Sequence, residues 1–182
     1  MLIHIPFNKT IKEFIDNKRI NKELRIQGWY FSHYRVEMIL RETNDWAKHY
    51  LPMDLKGKTI LDVGAGEGET ARFFLQHGAA KVICIEPGKE AFSYLKLNAS
   101  KNRLTALNKL FELTDLSIPH DLLKMDIEGY EELLLDVKLN TPAVLEVHGL
   151  QLRDKFRKAG WRIDNEATKK GYACTSYAYW MC

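Results

Sequence analysis

The amino-acid sequence predicts an α/β protein built on a doubly wound, mostly parallel sheet, and three observations support this fold class. Short β-branched runs at residues 59–63 and 81–86 are each followed by a helical pattern, an alternation that is typical of βαβ units. A glycine-rich turn directly follows the first run. The 182 residues, 46% of them hydrophobic and 28% charged, suit one globular domain.

The elements are predicted in chain order from the spacing of apolar residues and from turn residues. Residues 1–55 are expected to form a helical cap within the same domain as residues 56–182, with helices at 11–25 and 34–49. Strands are predicted at 59–63, 81–86, 108–113, 122–127 and 143–148, and helices between them at 69–77, 90–101, 130–137 and 152–159. The last residues predict a β-hairpin, with strands at 161–166 and 172–181 and a turn at 169–171.

Composition and charge argue against several classes of protein. No stretch approaches the roughly 20 apolar residues of a membrane span, and residues 1–10 lack the blocks of a signal peptide, so a cytoplasmic location is expected. Three widely spaced cysteines predict reduced thiols, with Cys84 buried in the second strand. The net charge of +3 is uneven, because residues 58–150 are acidic while the segments on either side are basic.

The turn after the first strand carries glycines at every second position, Gly64, Gly66 and Gly68. Glycine permits a tight turn and lets a ligand approach the backbone. A dinucleotide site favours GxGxxG and a helix N-terminus that is free for a pyrophosphate, whereas this loop places Glu67 and Glu69 at the helix start. These carboxylates would repel a pyrophosphate and suit a cationic or zwitterionic ligand.

An acid follows the second strand, and with it the sequence begins to resemble a known family. Glu86 is well placed to accept hydrogen bonds from ribose hydroxyls. Residues 60–68 and 85–87 resemble the first motif and the ribose-binding acid of class I S-adenosylmethionine-dependent methyltransferases. Residues 123–131 resemble the K-x-D-x-E-G-x-E motif of the FkbM-type methyltransferases, and residues 145–148 resemble the E-x-H strand that follows it there.

The resemblance covers residues 58–150 and carries expectations about fold, cofactor and reaction. It implies a Rossmann-like sheet of seven strands in the order 3-2-1-4-5-7-6, closed by an antiparallel strand. It also implies S-adenosyl-L-methionine as cofactor and O-methylation as the reaction. Asp115, just past the third predicted strand, is a candidate for the adenine side. The residues expected to bind the cofactor are Asp62, Gly64, Ala65, Gly66, Gly68, Glu86, Pro87 and Asp126.

Candidate catalytic residues cluster at the ends of the fourth and fifth strands, where ligands bind in open α/β sheets. Asp126 and Glu128 alternate along one strand, and His148 has the intrinsic pKa best suited to a general base for a hydroxyl acceptor. A histidine that merely caps the strand beside a carboxylate is an equal alternative. The cluster could also bind a divalent cation, but no HxxH or comparable spacing supports this, and no metal site is predicted.

The acceptor pocket is expected to combine the strand-end loops with the aromatic segment at residues 28–35. Tyr30, His33 and Glu146 are candidate substrate contacts, although packing of the cap onto the sheet explains most of the aromatic side chains. No N/D-P-P-Y/F motif follows the fourth strand, and clustered carboxylates repel a phosphate backbone, so methylation of nucleic-acid bases is disfavoured.

The favoured interpretation is therefore a methyltransferase for a small-molecule or sugar hydroxyl, acting as a monomer or homodimer without membrane contact. An RNA methyltransferase, whose basic ends would hold transfer RNA, is the first alternative. A noncatalytic module that only binds the cofactor is the second. Salt-dependent binding of transfer RNA would discriminate between the small-molecule methyltransferase and the RNA methyltransferase.

Overall fold

The structure, a computed structural model, describes residues 11–164 and 175–181 of the chain. The strands are β1 (Thr59–Val63), β2 (Lys81–Ile85), β3 (Leu104–Leu107), β4 (Leu122–Met125), β5 (Ala143–His148), β6 (Arg162–Ile163) and β7 (Thr175–Trp180). The α-helices are α1 (Ile11–Ile26), α2 (His33–Tyr50), α3 (Glu69–Gln76), α4 (Lys89–Ala99) and α5 (Leu150–Lys158). Short 3₁₀ turns at Leu113–Ser117 and Tyr130–Leu134 follow β3 and β4.

These strands form one sheet in the order β3-β2-β1-β4-β5-β7-β6. Strands β1 to β5 run parallel to their neighbours, whereas β7 is antiparallel to both β5 and β6. The predicted strand order, the Rossmann-like arrangement and the antiparallel closing strand are therefore confirmed. The turn expected at residues 169–171 lies outside the described residues.

The central strands are apolar along their whole length because both faces of the sheet are covered. Successive side chains point to opposite faces, so Ile60 and Cys84 pack with α2 and α3, while Leu61 and Leu123 pack with α5. Cys84 is a buried free thiol, as the sequence predicts. The parallel strands all end at one edge, and this edge positions the candidate site.

The two N-terminal helices were correctly predicted, and α2 packs onto α3 beside that edge. Ser32 caps α2 by accepting a hydrogen bond from the backbone N–H of Arg35. Before it, the buried rings of Trp29 and Phe31 are stacked with centroids 6.0 Å apart, so these aromatic residues pack the chain. Neither lines the cavity at the ends of the strands. Among the described residues, no helix has the length and apolar character needed to cross a membrane.

Two predicted elements were wrong. The third strand is Leu104–Leu107, paired with β2, and not residues 108–113. Its four residues are all only half-buried because β3 lies at the edge of the sheet, which weakens the apolar pattern on which the prediction depended. The helix predicted at residues 130–137 is only the 3₁₀ turn Tyr130–Leu134, which starts after Gly129.

Candidate active site

A cavity of about 570 Å³ lies where β1, β2, β4 and β5 end, with α2 along one side. This volume is within the range of small-molecule sites in proteins. Five of the eight residues predicted to bind the cofactor line this cavity: Gly64, Gly66, Glu86, Pro87 and Asp126. Glu128 and Glu146, predicted as catalytic and substrate residues, also line it.

The glycine loop passes very close to the end of β4, and this approach explains why position 64 is glycine. Gly64 has a φ of +73°, and a Cβ built on it would lie 1.7 Å from the carbonyl oxygen of Asp126. No side chain fits in that space. The loop backbone can therefore form the floor of the cavity directly, as the sequence predicts for a site where a ligand meets bare backbone.

Glu86 is held in place by the backbone around it. Its Oε2 accepts a hydrogen bond from the N–H of Gly66 at 2.9 Å, and its Oε1 accepts one from the N–H of Gly88 at 2.6 Å. Each carboxylate oxygen keeps a further lone-pair direction, so the group can still accept hydrogen bonds from a ligand in the cavity. The acid after β2 thus joins the glycine loop in one rigid unit.

Asp62, predicted to bind the cofactor, instead supports the loop from below. Its side chain is fully buried, with the hydroxyl of Thr70 donating to Oδ2 at 2.6 Å and Lys124 Nζ lying 2.9 Å from Oδ1. Lys124 also donates to the carbonyl of Gly64 at 3.0 Å. Burial disfavours the charged lysine, but the carboxylates of Asp62 and Asp126 outweigh it and raise the Lys124 pKa above its usual range.

Two charged contacts attach α2 to the same loop. The backbone N–H of Ser32 donates to Glu67 Oε2 at 2.6 Å, and Arg35 Nη1 lies 2.7 Å from Glu69 Oε1. Glu69 Oε2 accepts from the N–H of Glu67 at 2.9 Å. Burial raises the pKa of Glu69 to about 7, even though Arg35 opposes the shift. The carboxylates expected at the helix start therefore fasten the cap to the loop.

The acids at the ends of β4 and β5 surround His148. Its Nε2 lies 3.8 Å from Asp126 Oδ1 and 3.6 Å from Glu128 Oε2, and its Nδ1 lies 3.3 Å from Glu131 Oε1. The hydrogen bond to Glu131 raises the His148 pKa to about 9, so the ring is charged at neutral pH in this environment. A charged imidazole cannot accept a proton. The general-base role of His148 stays a prediction, and this environment argues against it.

His148 does not line the main cavity but a neighbouring depression, together with Gly129 and Leu150. Glu146, two residues earlier on β5, lines the main cavity. Burial raises the pKa of Glu146 to about 7, with a further contribution from the charge of Asp126. The hydroxyl of Tyr177 donates to Glu146 Oε2 at 3.4 Å.

Several predicted site residues are not brought to this cavity. Tyr30 is fixed by backbone hydrogen bonds to the side chain of Asn98, and His33 is exposed beside Glu37. Asp115 pairs with Lys109 at 3.0 Å. The others are Ala65, which is buried, and Gly68, which packs against Leu95. Their assigned roles stay predictions without support from the geometry.

One wall of the cavity was not predicted from the sequence. Met38, Glu42, Trp46 and Tyr50 of α2 all line it, and Arg35 lies one turn before them. Their four-residue spacing places them on one helix face, a signal that was present in the sequence. Leu110, Phe111, Tyr130 and Leu133 close other parts of the cavity. Leu110 and Phe111, in the segment that was wrongly predicted as a strand, therefore face the cavity instead.

Strand order, glycine loop and the acid after β2 together define a class I S-adenosylmethionine-dependent methyltransferase fold. Comparisons with solved structures agree with this class. A magnesium protoporphyrin IX methyltransferase from Synechocystis PCC 6803, solved with bound S-adenosylmethionine, is similar over 96% of this chain and 99% of its own, with a TM-score of 0.56 and 14% identity. A ribosomal protein L11 methylase from Lactobacillus delbrueckii subsp. bulgaricus is similar over 77% and 78%, with a TM-score of 0.55 and 18% identity.

Among curated sequences, the chain is similar to protein arginine N-methyltransferase 6 from Danio rerio, with 32% identity over 112 residues. The matched part is 60% of this chain but only 30% of that relative. No family model matches the chain. The comparisons therefore support the methyltransferase fold, and they do not show membership of the FkbM-type subfamily.

Proposed function

We propose that this chain is an S-adenosylmethionine-dependent methyltransferase. The observation that carries the proposal is the contact of Glu86 with Gly66 at the floor of the cavity, which combines bare backbone with a fixed carboxylate. Such a pair fits a ligand that carries a ribose, and the acidic lining fits a positively charged sulfonium. The relatives and the solved neighbours are methyltransferases, which supports the same assignment.

Arg35 is the residue that we assign to the carboxylate end of this zwitterionic ligand. Two cationic side chains line the cavity in the described part of the chain, Arg35 and Lys124. Lys124 is already taken by Asp62 and by the carbonyl of Gly64. Arg35 contacts Glu69 through Nη1 and keeps further guanidinium donors.

The bound cofactor supplies an electrophilic methyl group. On transfer, the methyl group would pass to the acceptor atom, the sulfur would keep the electron pair of the carbon–sulfur bond, and a carboxylate that lines the cavity would take up the proton of the acceptor. The chain itself has to align the acceptor and exclude water. Trp46 and Tyr50, both buried on α2, and the apolar residue Phe111 can form a water-excluding wall.

For the acceptor, we propose the hydroxyl of a small molecule or a sugar, in line with the FkbM-type resemblance. Support comes from a cavity with carboxylates that can accept hydrogen bonds from hydroxyl groups, among them Asp126, Glu128 and Glu146. A cytoplasmic location is part of this proposal, and the buried free thiol of Cys84 agrees with a reducing compartment.

A cationic nitrogen of a protein is the second candidate acceptor. The excess of carboxylates over cations around the cavity favours it, with Glu42 and Glu146 close enough to influence each other's charge. A curated relative named as a protein arginine N-methyltransferase points the same way. Guanidinium groups pair with carboxylates in a bidentate geometry that such a wall can provide.

Calorimetric titration with S-adenosylmethionine tests the cofactor assignment. Glu86→Gln is expected to weaken binding about tenfold or more, because hydrogen bonds to a charged acceptor are lost while the acceptor oxygens that hold the loop are partly kept. Glu90→Gln makes the same charge change on the exposed start of α4 and is the control. No binding to the wild type, or equal affinity of the Glu86 variant, would refute the assignment.

Transfer of a labelled methyl group separates the acceptors. The enzyme is incubated with sugars and polyols, with an arginine-rich peptide and with transfer RNA, and the label in each fraction is counted. A hydroxyl acceptor predicts label in the first fraction. For a cationic acceptor, Glu42→Gln should raise KM about tenfold, since a charge-assisted contact is lost, whereas Glu37→Gln on the same helix should not. Label in transfer RNA alone would reject both candidates.

A further inference from the structure

Metal-ligating side chains from three separate segments meet beside the cavity. They are Asp126 after β4, Glu131 in the following 3₁₀ turn, and His148 at the end of β5. One donor atom from each residue lies within 4.8 Å of the other two. No metal site was predicted from the sequence, because residues 130–137 were expected to form a helix and no HxxH or comparable spacing was present.

Two oxygens of this cluster lack a hydrogen-bond donor in the described part of the chain. Glu131 is fully buried; its Oε1 accepts from the N–H groups of Ile127 and Gly129 at 3.0 and 3.2 Å, but its Oε2 has no hydrogen-bond partner. Asp126 Oδ1 is also buried without one. A buried carboxylate oxygen without a partner is costly, and such groups are usually paired or coordinate a metal.

Each ring nitrogen of His148 lies near a carboxylate oxygen of the cluster, and a bound ion would replace the proton on one of these nitrogens. Nδ1 lies 3.3 Å from Glu131 Oε1, and Nε2 lies 3.8 Å from the unpaired Oδ1 of Asp126. A separation of about 3–4 Å between donor atoms is expected when each binds one ion at about 2.1 Å. Glu128, 85% exposed and 3.6 Å from Nε2, can add a further oxygen.

We propose that Asp126, Glu131 and His148 form a binding site for a divalent cation at the ends of β4 and β5. A mixed set of imidazole nitrogen and carboxylate oxygen favours Mn²⁺ or Zn²⁺ over Ca²⁺. Since Asp126 and Glu128 line the cavity, the cation lies at its edge. Its use there to hold the acceptor rests on the proposed function, but cation binding itself does not.

Titration of the EDTA-dialysed protein with Mn²⁺ tests the site without any cofactor present. Mn²⁺ is the preferred probe because it has little affinity for the thiol of Cys84. The expected result is saturable binding of one ion per chain, seen by calorimetry and by loss of the free-ion signal in electron paramagnetic resonance. The absence of saturable binding up to millimolar Mn²⁺ would overturn the proposal.

Three variants locate the ion. Glu131→Gln keeps an oxygen for the N–H groups of Ile127 and Gly129 and should weaken Mn²⁺ binding at least tenfold. His148→Asn should also weaken Mn²⁺ binding at least tenfold, and it tests the site if Glu131→Gln does not fold. Glu132→Gln, an exposed neighbour that pairs with Lys155, is the control. Equal affinity in all variants would overturn the site, leaving His148 as an imidazole held only by carboxylates.

A titration of the same samples with S-adenosylmethionine keeps the two proposals separate. Loss of cation binding with intact cofactor binding would remove only the cation site. Cation binding without cofactor binding would leave the site in place and reject the proposed function.

Discussion

The two ends of the cavity differ in how their carboxylates are satisfied. Around the glycine loop, Glu67 and Glu86 accept backbone hydrogen bonds and Asp62 is paired with Lys124. At the ends of β4 and β5, buried oxygens of Asp126 and Glu131 have no donor among the described residues. The loop end is therefore organised by contacts within the chain, whereas the strand end has two buried carboxylate oxygens that the proposed cation would contact.

The largest effect is expected at the loop end from removal of a charge partner. Lys124→Met leaves Asp62 buried without its cation, and loss of one member of a buried pair costs about 3–5 kcal/mol. Urea denaturation should show a matching fall in the free energy of unfolding. The double variant with Asp62→Asn should recover part of it, and no recovery would mean that the two side chains act independently.

Gly64→Ala should have the next largest effect and lower the free energy of unfolding by roughly 3 kcal/mol. The reason is that the added Cβ would collide with the carbonyl oxygen of Asp126 and that φ is positive. Gly129→Ala is the matched control at the strand end. Gly129 has a φ of +102° but nothing within 4 Å of the added Cβ, so only a conformational cost of about 1–2 kcal/mol is expected. Equal losses in urea denaturation would show that the close approach at Gly64 is not decisive.

The pH dependence of stability should report Glu69. A buried carboxyl whose pKa is raised from 4.5 to about 7 binds its proton more tightly in the folded state. Its contribution is therefore fully present below pH 4.5 and is lost as pH rises through 7. The change is on the order of 3 kcal/mol.

Three charged groups face Glu69, namely Arg35 from α2, Lys124 from β4 and Asp62 from β1. In Glu69→Gln, the free energy of unfolding measured by denaturation should therefore change less between pH 5 and pH 8 than in the wild type. An unchanged pH profile in this variant would assign the dependence to other groups.

The smallest effect is expected at the strand end. Glu128 has a φ of +55°, a conformation that side chains with a Cβ rarely adopt. Glu128→Gly should be more stable than Glu128→Ala by about 1 kcal/mol, because only glycine relieves that conformation. Both variants lose the carboxylate, so any difference in stability comes from the backbone. Identical unfolding midpoints would show that residue 128 is not strained.

The strands and site residues that could be predicted from the sequence are those marked by a pattern of neighbouring residues. The runs at β1, β2, β4 and β5 are buried on both faces, so their apolar residues are contiguous and easily recognised. The edge strand β3 lacks that signal. The glycine loop and Glu86 were found because their chemistry lies within a few residues of strand ends.

The rest of the site depends on distant segments. Glu42 lies on a helix whose cavity face was indistinguishable from a packing face until the sheet was in place. Glu131 lies at the start of the predicted helix, where an acidic residue is common. Its burial and its contact with His148 could therefore not be predicted. The position of Asp62 beneath the loop likewise depends on Lys124 from another strand.

The attachment of α2 has a consequence for engineering. The helix is attached near its start through Ser32 and Arg35, and Arg35 Nη1 also lies 3.3 Å from the sulfur of Met38, whereas Glu42 lies further along the helix and lines the cavity. A library at position 42, about two turns beyond Arg35, would change the cavity wall while Ser32 and Arg35, which hold the glycine loop, are kept. Such a library would vary one wall of the cavity on a scaffold whose glycine loop stays constant.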